Sequence, residues 1–151
     1  MNPNKALWEK GDFTRIAQSM RESGEAVVES LGVKPGLKVL DLGCGDGTTA
    51  LPAARRGADV LGVDIARNLV EAGNRRAQEH GLTNLRFQEG DACNLSELAD
   101  DTFDLVVSIF GAMFAPKPFD STFPLGAASA GRRAPEAEPL PSYLQHHGGR
   151  A

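Results

Sequence analysis

The chain is poor in the residues that build metal centres, disulfide frameworks and membrane spans. It holds two cysteines, Cys44 and Cys93, and three histidines in 151 residues. The cysteines lack the spacing of a metal or redox set, so both are read as reduced thiols: Cys44 as a small filler of its loop, Cys93 as buried and inert. His146 and His147 have no partner ligands near them, and no metal is assigned. His80 precedes a glycine at a predicted helix end, where a positive charge is favourable. No apolar run approaches the length of a membrane span. The opening "MNPNKALWEKGD" has no apolar h-region, so no secretory signal is expected and a cytoplasmic protein is. Sixteen Lys and Arg stand against twenty Asp and Glu, for a formal charge of −4. The basic residues are scattered, which argues against a nucleic-acid partner or an anionic membrane surface. Internal repeats are absent. The length bounds the chain to one domain with a sizeable core.

What is present is an alternation of apolar runs and helical periodicities. Residues 12–32 carry Phe13, Ile16, Met20, Val27, Val28 and Leu31 at near-helical spacing, with Gly32 as a stop and Gly24 as a weak point. "LKVLDL" follows as a buried strand. "TTALPAARRG" reads as a helix ended by Gly57, with Pro52 in the first turn, where a missing N–H costs least. "ADVLGVD" is a second strand and "IARNLVEAGNRRAQEHG" a helix ended by Gly81. In "NLRFQEGD", Leu85 and Phe87 alternate with Arg86 and Gln88, as in a strand with one exposed face. "SELADDT" is a short helix or loop. "FDLVVSIF" is apolar nearly throughout, which implies burial on both faces. This order predicts an α/β fold: a Rossmann-like, doubly wound parallel sheet of about four strands, incomplete, preceded by an N-terminal helix. A ligand is then expected at the carboxyl ends of the strands, where the strand order reverses.

The glycines of "VLDLGCGDG" give that expectation chemical content. A strand ends, a glycine turn follows and a helix starts, so free N–H groups and a positive helix end meet at one place. Gly43, Gly45 and Gly47 let a ligand approach the backbone. A dinucleotide fingerprint needs G-x-G-x-x-G, but position 48 is threonine; the tighter G-x-G-x-G suits an amino-acid carboxylate or a nucleoside. Asp64 closes the second strand, where a carboxylate can accept both hydroxyls of a ribose. Asp91 closes the third, placed to accept from an exocyclic amine. A ligand with a zwitterionic end, a ribose and an adenine fits these three tips in order.

In order and spacing, "VLDLGCGDG", "GVDIA", "EGDA" and "FDLVVS" resemble motifs I to IV of class I S-adenosylmethionine-dependent methyltransferases. The resemblance spans roughly residues 1–119. It implies S-adenosyl-L-methionine as cofactor and a small-molecule methyl acceptor. It also implies a set of cofactor-binding residues. Gly43, Cys44 and Gly45 would line the methionine part, with Asp64 on the ribose and Ile65 on the adenine face. Asp91 and Ala92 would meet the adenine edge, and Ser108 would lie near the methyl group. "LWEKGDFTRIA" resembles the lid of small-molecule members, with Trp8, Phe13 or Arg15 over the cofactor.

Plainer roles stand beside these. Asp46 and Thr48 are read as helix caps, and Asp41 as orienting the loop. Asp64 and Asp91 could each cap a following helix. Ser108 lacks the G-x-S-x-G context of a hydrolase nucleophile. No catalytic residue is assigned, because transfer from a sulfonium needs a general base only when the acceptor carries a proton. Six of the nine prolines fall after residue 115. Residues 120–151 are expected to be an irregular, disordered tail after a partial domain at 1–119. The change of character near Phe119 suggests a shortened or frame-shifted chain, with the apolar edge of the fourth strand open. Three functions follow: a methyltransferase domain, a non-catalytic remnant or half-domain, and a nicotinamide-dependent dehydrogenase, which Thr48 disfavours. The acceptor and the oligomeric state are not legible in the sequence.

Overall fold

A computed structural model describes residue 2, residues 4–92, residues 94 and 98, and residues 103–109. Cys93, most of "SELADDT", the region from 110 onward with its tail, and both tail histidines lie outside the described residues. Three short helices, α1 (Lys5–Lys10), α2 (Phe13–Ser19) and α3 (Arg21–Ser30), precede β1 (Lys38–Leu42). Then come α4 (Ala50–Arg55), β2 (Asp59–Asp64), α5 (Arg67–Glu79), β3 (Leu85–Glu89) and β4 (Leu105–Val107).

All described strand pairs are parallel, and the sheet order is β3-β2-β1-β4. The register pairs Leu40 with Leu61 and Val106, and Asp41 with Gly62 and Val107. Winding runs outward from β1 through β2 to β3, then returns to the other side of β1 for β4. The reversal therefore lies at the carboxyl end of β1, which opens a crevice there.

One face of the sheet presents Val39, Val60, Leu85, Phe87, Leu105 and Val107 to Val28 of α3, to Ala50, Leu51, Ala53 and Ala54 of α4, and to Val70 and Ala77 of α5. The other face collects Leu40, Leu42, Leu61, Val63 and Val106, with Leu98 and Phe103 packed against them. The central strands are thus buried on both faces, which is why they read as continuous apolar runs. β3 and β4 are the two edges among the described residues; only one face of β3 is covered, so buried Leu85 and Phe87 alternate with exposed Arg86 and Gln88. Asn74 of α5 closes part of the β3 edge: its Nδ2 donates to the Phe87 carbonyl at 3.1 Å and its Oδ1 accepts from the Phe87 N–H at 3.1 Å.

The single helix expected over 12–32 is two. The backbone departs from helical geometry at Met20 (φ −104°, ψ 4°), not at Gly24, which lies inside α3. Gly24 is there for space: a Cβ at this position would stand 2.1 Å from the Thr48 carbonyl oxygen. The small residue lets α3 lie directly on the turn after β1.

Candidate functional site

The crevice at the strand tips is a cavity of about 510 Å³. Its floor is the turn after β1. Gly43, Gly45 and Gly47 all have positive φ (66°, 55° and 94°), a conformation side-chained residues seldom adopt. At Gly45 an added Cβ would meet nothing within 4 Å, so that position faces open space; at Gly47 it would strike Leu51 and Phe87. Gly45 therefore serves access, and Gly47 serves packing.

The turn is tied to β2. The Gly43 and Cys44 N–H groups donate to the Val63 carbonyl at 2.8 and 3.2 Å. Asp64, nearly buried, accepts from Gly45 N–H through Oδ2 at 2.8 Å and from Ala66 N–H through Oδ1 at 2.9 Å. Asp64 is not the N-cap of α5, which is Ala66 without a side-chain cap bond; its bond to the Ala66 N–H instead fixes the turn that leads into the helix. A carboxylate has about four acceptor sites, so each oxygen keeps capacity toward the cavity it lines. Burial raises its pKa, and the backbone N–H groups of Ala66, Gly45 and Ile65 hold it back down.

Asp41 stands deeper, at the end of β1, with 2% of its surface exposed. Burial, with the charge of Asp64 adding to it, pushes its pKa up to about 7; the Ala50 N–H opposes this. Its Oδ2 has no hydrogen-bond partner among the described residues, although Asp41 lines the cavity. An orphaned buried carboxylate oxygen beside an open glycine turn fits a ligand with a cationic end. Burial, with the charges of Asp41 and Asp64, raises the Cys44 thiol well above its ordinary value, which suits an inert filler.

The tip of β3 supplies the third wall. The Gly90 N–H donates to the Asp64 carbonyl at 2.9 Å, so the two tips are joined. Asp91 receives the Asn2 side-chain amide on both oxygens, at 3.3 and 3.2 Å. The cavity lining takes in Gly43, Cys44, Gly45, Asp64, Ile65, Asp91 and Ala92 together. Ser108 is not in that lining; its Oγ donates to the Leu42 carbonyl at 2.7 Å, bracing β4 against the start of the turn, and its neighbour Ile109 lines the cavity instead.

The roof comes from the N-terminal helices: Trp8, Phe13, Ile16 and Met20 line the cavity, and the rings of Trp8 and Phe13 sit 4.7 Å apart. Arg15 is not in the lining. Lys5 of α1 and Arg67 of α5 meet on Glu89, whose pKa these two partners lower.

The capping roles expected for Asp46 and Thr48 are not what the structure holds. The N-cap of α4 is Thr49, with no side-chain cap bond. Asp46 is buried and takes both ends of the Arg21 guanidinium, at 3.0 and 2.6 Å, while Thr48 Oγ1 accepts from Arg21 at 2.8 Å. The partners lie 25 and 27 residues apart, beyond the reach of any local pattern. Among the described residues no cluster of three or more His, Cys, Asp or Glu could hold a metal, and no helix is long and apolar enough to cross a membrane.

Comparison with known proteins agrees with this geometry. The model of a family described as "Methyltransferase domain" matches residues 39–123. The uncharacterized protein Rv1405c of Mycobacterium tuberculosis is 41% identical over 114 residues, covering 75% of this chain and 41% of its own length. This chain thus spans about two-fifths of the length of that relative. The crystal structure of YcgJ from Bacillus subtilis superposes with a TM-score of 0.55 at 34% identity, over 60% of this chain and 38% of that one. A SAM-dependent methyltransferase from Aquifex aeolicus shares the fold with a TM-score of 0.59 at 23% identity, over 65% of this chain and 53% of that one. The strand order, the glycine turn at the switch point and a family match over more than half of the sequence agree, and the chain belongs to the methyltransferase-domain family, with the class I S-adenosylmethionine-dependent fold.

Proposed function

We propose that this chain binds S-adenosyl-L-methionine in the strand-tip cavity and directs its methyl group to a small-molecule acceptor. The observation that carries this reading is that Gly45, Asp64 and Asp91, from three successive strand tips, border one cavity. When bound, the cofactor supplies a methyl carbon already activated by its sulfonium, so the protein's work is alignment and exclusion of water.

Each residue has a task in that work. Gly43 and Gly45 admit the amino-acid end, with Cys44 packed beneath. The uncommitted Oδ2 of Asp41 suits the cationic amino group of that end. Asp64 uses its remaining lone pairs for the ribose hydroxyls while Gly45 and Ala66 hold it in place. Ile65 lies against the adenine face, and Asp91 with Ala92 against its edge. Trp8, Phe13 and Met20 cover the ligand and keep water out. Ser108 acts from behind, through its bond to the Leu42 carbonyl at the root of the turn.

Calorimetric titration with S-adenosylhomocysteine tests the reading. Binding of micromolar strength is expected, and NADH should bind less well. Absence of heat from soluble, folded protein, or a preference for NADH, would refute it.

A further inference from the structure

The ion pair between Arg21 and Asp46 joins two parts that a binding reaction would need to move together. Asp46 belongs to the glycine turn, and Arg21 is the first residue of α3, directly after the backbone break at Met20. Its planar fork grips both carboxylate oxygens of Asp46 and also reaches Thr48 Oγ1. Such a two-pronged contact fixes orientation as well as distance, which a lysine could not do. On the far side, Arg76 of α5 donates to the Asp46 carbonyl at 2.6 Å. The turn is therefore held from both flanks.

α3 supplies one part of the roof. Gly24 and Val27 line the cavity with Met20 at the break, while α2, ahead of the break, brings Phe13 and Ile16 and packs on both α3 and α5. Gly24 seats α3 on the Thr48 carbonyl with no room to spare. Elsewhere the roof is fastened by exposed or half-exposed contacts, such as Lys5 with Glu89, which solvent weakens. The fork differs in that its carboxylate end is buried and held at two points, which makes it the firmer attachment.

We propose that Arg21 is a positioning residue for the cofactor: through Asp46 it holds the glycine turn in its receiving shape, and it thereby makes the turn and the N-terminal roof one mechanical unit. This inference rests on the cofactor reading above. A ligand that orders the turn must then also order α1 and α2, although those helices lie before the Met20 break.

Hydrogen exchange of the full chain, with and without S-adenosylhomocysteine, tests this alongside calorimetry of wild type, Arg21→Gln and Arg21→Lys. In the wild type, ligand should slow exchange in residues 43–48 and 5–19 together. Arg21→Gln leaves Asp46 paired with Arg76 at 3.6 Å, so the acid is not stranded and the fold is expected to survive. It should bind about tenfold more weakly, the scale of losing a charge-assisted fork, and its ligand-dependent protection of residues 5–19 should shrink to the part that direct contact of Trp8 and Phe13 with the ligand supplies. Arg21→Lys should fail to restore the rest. A residue that merely stabilises the fold would speed exchange in β1 and β2 as well, yet keep the full ligand-dependent protection of the roof. That pattern would overturn the proposal, as would wild-type affinity in Arg21→Gln. Failure of the wild type to bind would instead remove the cofactor reading, and this inference with it.

Discussion

Replacing Gly24 by alanine sets two effects of opposite sign against each other. By helix propensity alone, Gly24→Ala in the middle of α3 should stabilise by about 1 kcal/mol. The structure opposes this. The new Cβ would lie 2.1 Å from the Thr48 carbonyl oxygen and 2.9 Å from the Thr48 carbonyl carbon and Cγ2. The neighbour is main chain in a buried turn, so no side-chain rotation relieves the clash. α3 must retreat by about 0.9 Å to reach even the 3.0 Å that Cβ atoms respect, and overpacking of this kind costs roughly 1–3 kcal/mol. Because the contact is so short, the upper half of that range applies, and the net is a loss of about 1–2 kcal/mol. With a urea m-value of about 1–3 kcal/mol/M, the midpoint should fall by on the order of 0.5–1 M. The control is Ala26→Gly, at an exposed position of the same helix, which should cost about 1 kcal/mol through propensity alone. Both opposite substitutions should thus destabilise. A higher midpoint for Gly24→Ala would refute the close-approach argument.

Other outcomes follow from the same geometry. Asp64→Ala removes the acceptor of two backbone N–H groups as well as a proposed ligand contact. Affinity for S-adenosylhomocysteine should drop by roughly 1–3 kcal/mol in calorimetry, and unchanged affinity would take Asp64 out of the site. Asp41 holds its proton up to about pH 7 in the fold, against 3.8 as the ordinary value. Between those limits the folded chain binds more protons than the unfolded one, so stability falls as pH rises through this window, by on the order of 4 kcal/mol. Urea midpoints should therefore decline from pH 5 to pH 8 more steeply for the wild type than for Asp41→Asn; equal slopes would contradict the assignment. Asn74→Ala strips both main-chain partners from Phe87 on β3. It should cost about 1–3 kcal/mol in urea unfolding and increase aggregation through the bared edge, as followed by light scattering.

Much of this molecule is legible in local pattern. The double-sided burial of β1, β2 and β4 shows as uninterrupted apolar runs, and the one-sided burial of β3 shows as alternation. The glycines at 43, 45 and 47 announce positive φ because few other residues accept it. From the strand–helix alternation follow the parallel sheet and its crevice, and from the acids at 64 and 91 two of the crevice walls. These are properties of short stretches, set by side-chain period and backbone sterics. What only the tertiary structure decided involves residues that meet from afar. Gly24 looked like a flaw in a helix until the Thr48 carbonyl lay against it. Asp46 looked like a cap until Arg21 and Arg76 arrived from two other helices. Asp41 gained its high pKa from burial and then from the charge of Asp64 on β2, and Ser108 its post behind the turn from the Leu42 carbonyl on β1. No periodicity encodes such contacts, because they depend on which faces the sheet brings together, and the energies that shift protons and lock side chains arise only once water has been driven from between them.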